Sequence, residues 1–153
     1  MNKIGENEWE KLIDGLVENF QPDELITHEY IKSKFLIVAP EYEEFESVTE
    51  FIEAINLQQF EYMSLIEKLR LDVLDRHKLY MSNIRGFGYK FLKPSEQTTY
   101  AREKAIDAVK KELNRGLLIL KNIRHDSLTM EERKRNSDEM AKLGQLKQML
   151  KIV

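Results

Sequence analysis

The chain has no cysteine among its 153 residues. That excludes disulfides, thiolate metal sites and cysteine nucleophiles, and it suits a reducing compartment. Its three histidines, His28, His77 and His125, lie in separate segments with no metal-ligand spacing. There is no Gly-rich phosphate loop between a strand and a helix, and no telling arrangement of Ser, His and Asp. The chain is therefore expected to have no catalytic residues, no metal and no cofactor. Apolar runs are only a few residues long, too short to span a bilayer. The N-terminal MNKIGENEWE lacks the apolar core of a signal peptide. A soluble, cytoplasmic protein with no membrane partner is the expectation.

Charge is not scarce but segregated. Residues 1–57 carry 14 Asp+Glu against 4 Lys+Arg, residues 58–100 carry 5 against 7, and residues 101–153 carry 8 against 13. The overall net charge of −3 conceals an acidic first third and a basic remainder, which suits two kinds of partner, or two solvated faces.

Apolar periodicity predicts a mostly helical fold. Trp9, Leu12, Ile13, Leu16, Val17 and Phe20 recur at helical spacing, and Gln21-Pro22-Asp23 ends that helix. Leu25-Ile26 reads as a short edge strand or a core plug. Thr27 stands as the N-cap of a second helix reaching Phe35–Ile37 and burying Tyr30, Ile31, Phe35 and Leu36. An acidic connection follows. Ser47 and Glu50 make a capping box for a short helix with Phe51, Ile52 and Ile55 inward, and the pattern breaks at Asn56–Gln59. A longer helix then buries Phe60, Met63, Ile66, Leu69 and Val73, with Tyr62, Ser64, Glu67, Lys68, Leu71 and Asp72 outside and Arg70 on the border. Next comes LYMSNIRGFGYKFL, residues 79–92. This is a hairpin whose tip needs the backbone freedom of Gly86 and Gly88 and carries Arg85 and Phe87. It reads either as a projection into a nucleic-acid groove or as an ordinary surface turn. Pro94 closes this unit. Beyond it a proline-free segment gives a stripe from Ala105 to Ile123, a break at 124–128, and a second capping box, Thr129 and Glu132. The helix that this box opens carries Met140, Leu143, Leu146, Met149 and Leu150. These two helices form an antiparallel helical hairpin that needs a further packing partner.

Helix, helix, helix and glycine-tipped hairpin is the order of a winged helix-turn-helix. Here QPDELITHEYIKSKF resembles the turn and second helix of the OmpR/PhoB-type response-regulator effector domain. SLIEKLRLDVL resembles its recognition helix, and NIRGFGYKF its wing. The resemblance covers residues 8–93. It implies a winged-helix domain over 1–94, with an acidic helical insertion at 39–57, followed by a C-terminal helical hairpin over 95–153 that has no counterpart in the family. The family's receiver domain is not expected in front of it, so the resemblance does not imply phosphorylation control. By resemblance, Arg85 is the wing arginine that enters the minor groove. Lys68 and Arg70 match base- or phosphate-contacting positions of helix 60–75, joined by Tyr62 and Ser64, while Lys90, Lys93, Arg76 and Lys78 are phosphate-contact candidates. Each has a plainer reading: Arg70 as a carboxylate's partner, Tyr62 as core, Lys90 as a solvated strand residue.

The leading expectation is a stand-alone winged-helix protein that binds double-stranded DNA as a transcriptional regulator, with the helical hairpin forming a homodimer or adding phosphate contacts. The alternative is a protein-interaction module. In that reading the acidic insertion, with Tyr42, Glu43, Glu44 and Phe45, docks on RNA polymerase or another part of the transcription or replication machinery.

Overall fold

A computed structural model describes residues 4–151 of the chain. It is mostly helical, with one small antiparallel sheet. The elements are α1 (Glu6–Asn19), β1 (Ile26–Thr27), α2 (His28–Lys34), α3 (Val48–His77), β2 (Met81–Ile84), β3 (Gly88–Phe91), α4 (Pro94–Lys121) and α5 (Met130–Met149), with 3-10 turns at Tyr42–Glu44 and His125–Ser127. Two compact units divide the chain, residues 1–97 and 98–153. The boundary falls inside α4, just past Pro94, whose fixed φ suits the first turn of a helix.

In the first unit the sheet order is β1-β3-β2. Ile26 pairs with Tyr89 and Thr27 with Gly88 across β1–β3, while Met81 pairs with Phe91 and Ile84 with Gly88 across β2–β3. The core fills the space between this sheet and α1, α2 and α3. Trp9, Ile13 and Leu16 of α1, Ile26, Ile31, Phe35, Tyr62, Ile66, Leu69, Val73, Met81, Tyr89 and Phe91 are all buried in one cluster. Trp9 stacks on Phe35 with centroids 5.8 Å apart and donates its indole N–H to Asp72 at 2.7 Å. Thr27 is the expected N-cap, accepting from the Tyr30 N–H at 3.1 Å. Ile26 combines both roles considered for it, strand and core plug, whereas Leu25 is exposed.

Three expectations are corrected. Residues 48–77 form one continuous 30-residue helix instead of two, with no break at Asn56–Gln59. The polar residues there interrupt the apolar pattern, but without Pro or Gly nothing interrupts the backbone. Secondly, the buried stripe of α3 is Tyr62, Ile66, Leu69 and Val73, so Phe60 (73 % exposed) and Met63 face solvent, as do Ile52 and Ile55. Lastly, α2 stops at Lys34 because Leu36 adopts a left-handed φ of 57°, which leaves Leu36 exposed.

In the second unit α4 and α5 run antiparallel. Gly116 faces Leu143, and the Asn136 side-chain amide reaches the Leu120 carbonyl at 3.4 Å. The capping box at Thr129 and Glu132 opens α5 as expected. Among the described residues of this unit, only Asn136 is buried.

Candidate nucleic-acid interface

The tip joining β2 to β3 is held by backbone hydrogen bonds and by the close approach of β1. The Phe87 N–H donates to the Ile84 carbonyl at 3.0 Å, closing the turn, and Gly86 takes a φ of 81°. The Phe87 carbonyl accepts from the His28 N–H at 3.2 Å, tying the tip to the start of α2. At Gly88, φ 153°, an added Cβ would lie 2.0 Å from the Ile26 carbonyl oxygen. Glycine there allows β1 to lie against β3, and β1 in turn steadies the tip. On this fixed base Arg85 is exposed, with no hydrogen bond or ion pair to any described residue. Phe87 beside it is 66 % exposed.

The other basic candidates are mostly engaged. Arg70 donates to the Met81 carbonyl (3.2 Å), Glu67 (2.8 Å) and the Tyr80 hydroxyl (2.9 Å), bracing α3 against the hairpin. Lys68 lies over the Trp9 ring at 4.5 Å, which is a cation–π contact. Arg76 pairs with Glu10 and Asp14, both at 3.1 Å. The hydrogen bond that Arg76 donates to the Glu10 carboxylate holds the Arg76 pKa above its ordinary value. Lys90 and Lys93 share the Asp23 carboxylate at 2.8 and 3.0 Å. Those two hydrogen bonds, Lys90's first, lower the Asp23 pKa. Lys78 sits at the left-handed C-cap of α3 and contacts Asp75, both side chains being largely in solvent. Ser64 is exposed on α3.

Tyr62 is not on the outside as expected. It is 3 % exposed, and its hydroxyl lies 2.8 Å from His28 Nδ1. Burial pushes the Tyr62 pKa well up and the His28 pKa down, with Lys32 adding to the latter. His28 also meets Tyr89 edge-on, at 5.5 Å between centroids. His28 Nδ1 and the Tyr62 hydroxyl thus satisfy one another at the margin of the core. A single position on an amphipathic helix cannot reveal such a partner, because His28 is 34 residues away.

The acidic insertion is anchored by its aromatic residues. Tyr42 and Phe45 pack on Phe51 of α3 at 5.4 and 5.7 Å, and the Gln58 side chain donates to the Val38 carbonyl. Glu43 and Glu44 remain exposed. Beside them the apolar stripe of α3 continues beyond the core as Val48, Ile52 and Ile55, which are 42–57 % exposed. Among the described residues no group of His, Cys, Asp and Glu could hold a metal ion, and no helix is long and apolar enough to cross a membrane.

Comparison of the chain with models of known protein families, with curated proteins and with solved structures found no match.

Proposed function

We propose that residues 6–97 are a winged helix-turn-helix and that the protein binds double-stranded DNA through the tip of the β2–β3 hairpin, acting as a transcriptional regulator. The order α1-β1-α2-α3-β2-β3 with sheet order β1-β3-β2 supports the fold reading. The observation that carries the function is Arg85: an exposed, unpaired guanidinium on a tip held by Gly88 and the His28–Phe87 hydrogen bond. A narrow minor groove has an enhanced negative potential that attracts an inserted arginine.

The third helix plays the lesser part in this reading. Arg70, Lys68 and Arg76 are occupied within the fold, so α3 has few groups with which to read base edges. Binding is then tolerant of sequence and dominated by phosphate electrostatics. Replacing Arg85 by Ala is expected to weaken binding to a mixed-sequence duplex and lower the salt slope by about one. Unfolding followed by Trp9 emission is expected to stay unchanged. Unaltered DNA affinity in the variant would refute the assignment of the tip.

A second reading, protein docking, is favoured by the uncovered Val48, Ile52 and Ile55 between the exposed Glu46, Glu50 and Glu53. An apolar strip with an acidic rim suits a basic partner surface. Ile52→Glu combined with Ile55→Glu would abolish recovery of RNA polymerase from a reconstituted mixture if the strip docks there. Equal recovery would remove this reading.

A further inference from the structure

An aromatic side chain stands in solvent beside Arg85. Phe87 is 66 % exposed, whereas Tyr89 and Phe91, the aromatic residues of β3, are buried. It makes no ring contact with any described residue. The turn itself does not need a phenyl group. Phe87 serves the turn with its main chain, whose N–H donates to the Ile84 carbonyl and whose carbonyl accepts from the His28 N–H. A polar residue would make both bonds equally well.

Those two bonds hold the ring's point of attachment in place, from β2 on one side and from the start of α2 on the other. The next residue, Gly88, lies directly against the Ile26 backbone. Between Arg85 and Phe87 stands Gly86, where an added Cβ would meet no other atom within 4 Å. The crown of the turn is therefore open, with one cationic and one apolar side chain flanking it.

The minor groove of DNA is about 6 Å wide, and a two-stranded ribbon fits only the wider major groove. At a minor groove, then, only the side chains of the tip reach the floor. The phosphates along the walls suit Arg85 but offer a phenyl ring nothing apolar. The apolar surface of a duplex lies between its stacked base pairs. We infer, resting on the proposed binding of the tip to duplex DNA, that Phe87 wedges between two base pairs, partly unstacking them and kinking the duplex. Phe87 then selects where the protein binds, because the cost of opening a step depends on its sequence. Pyrimidine–purine steps such as TA unstack easily, whereas A-tracts are stiff with a narrow minor groove. Arg85 alone would favour the A-tract. The wedge reverses that preference.

The test is binding of the full chain to two duplexes of equal length, one with central TA steps and one with a central A-tract. In the first, 2-aminopurine, which brightens when unstacked, replaces the adenine of the middle step. The wild type should bind the TA duplex about three- to tenfold tighter, within the range of stacking strengths among steps, and raise the probe's emission. Phe87→Ala should still bind, but prefer the A-tract and leave the probe dark. Phe87→Leu, which keeps an apolar wedge, should retain both signals. The ring is exposed and the turn is bonded through the main chain, so unfolding followed by Trp9 should be the same in all three proteins. Binding that depends on Arg85 yet shows neither step preference nor probe signal would overturn the wedge and leave the proposed function standing. No binding to either duplex would remove that function, and the wedge with it. Phe87-dependent binding to phosphatidylserine vesicles in preference to both duplexes would assign the tip to a lipid surface and overturn the wedge as well.

Discussion

Gly86 and Gly88 look equivalent in the sequence, two residues apart at one turn, but the structure predicts very different costs for replacing them. At Gly86 an added Cβ meets nothing within 4 Å, so Gly86→Ala carries only the strain of a φ of 81°, about 1–2 kcal/mol. At Gly88 the Cβ would stand 2.0 Å from the Ile26 carbonyl oxygen and 2.9 Å from the Ile26 carbonyl carbon and Thr27 Cα. All three are backbone atoms, so no side chain can turn away. Ordinary contact begins at 3.4 Å, and β1 must retreat by roughly 1.4 Å. That breaks its short ladder with β3, at about 1 kcal/mol per hydrogen bond, and draws the fully buried Ile26 outward. With strain of about 1–3 kcal/mol at φ 153°, Gly88→Ala should cost about 3–5 kcal/mol in all. For a unit of this size the Tm should fall by about 15–25 °C, against about 5–10 °C for Gly86→Ala. The chain's single tryptophan reports on this unit alone, because Trp9 is 6 % exposed and bonded to Asp72. Thermal and urea unfolding followed by its emission would give both numbers. A Gly88→Ala loss no larger than that of Gly86→Ala would refute the argument that β1 depends on this close approach.

Asp23→Asn should release Lys90 and Lys93 together, since one carboxylate holds both, and asparagine tolerates the left-handed φ of 70° at this position. DNA affinity should rise and the salt slope steepen by up to about two; a slope equal to wild type would show that neither lysine reaches phosphate. The half-buried His28 imidazole lies against Tyr62, and partial desolvation, with Lys32 nearby, depresses its folded pKa. The folded state therefore binds fewer protons than the unfolded chain, and its stability, fully present above the unfolded pKa of about 6.5, is lost as pH falls below it. The urea midpoint should drop between neutral and mildly acidic pH, and less steeply in His28→Gln. Identical pH profiles would assign the titration elsewhere.

Much of the local structure is determined by the sequence alone. The helical spacing from Trp9 to Phe20, the Thr27 cap, the Thr129–Glu132 box and the glycine-tipped hairpin are local features. Each depends on residues within one or two turns of one another, so each is legible in the linear order. The exposure of Arg85 follows in the same way from its place at the tip. Local reading fails where an answer depends on distant residues. Periodicity placed Phe60 and Met63 inside and Tyr62 outside; which face of α3 is buried was decided by Trp9, Phe35, His28 and Tyr89 gathering around Tyr62. The same is true of the charges. Lys90, Lys93, Arg70 and Arg76 read as a basic surface, but Asp23, Tyr80, Glu10 and Asp14 occupy them across loops and helices. A side chain's charge belongs to the sequence. Whether that charge is free to meet a phosphate depends on which carboxylate or ring folding brings opposite it, because a close pair largely cancels its own field beyond a few ångströms.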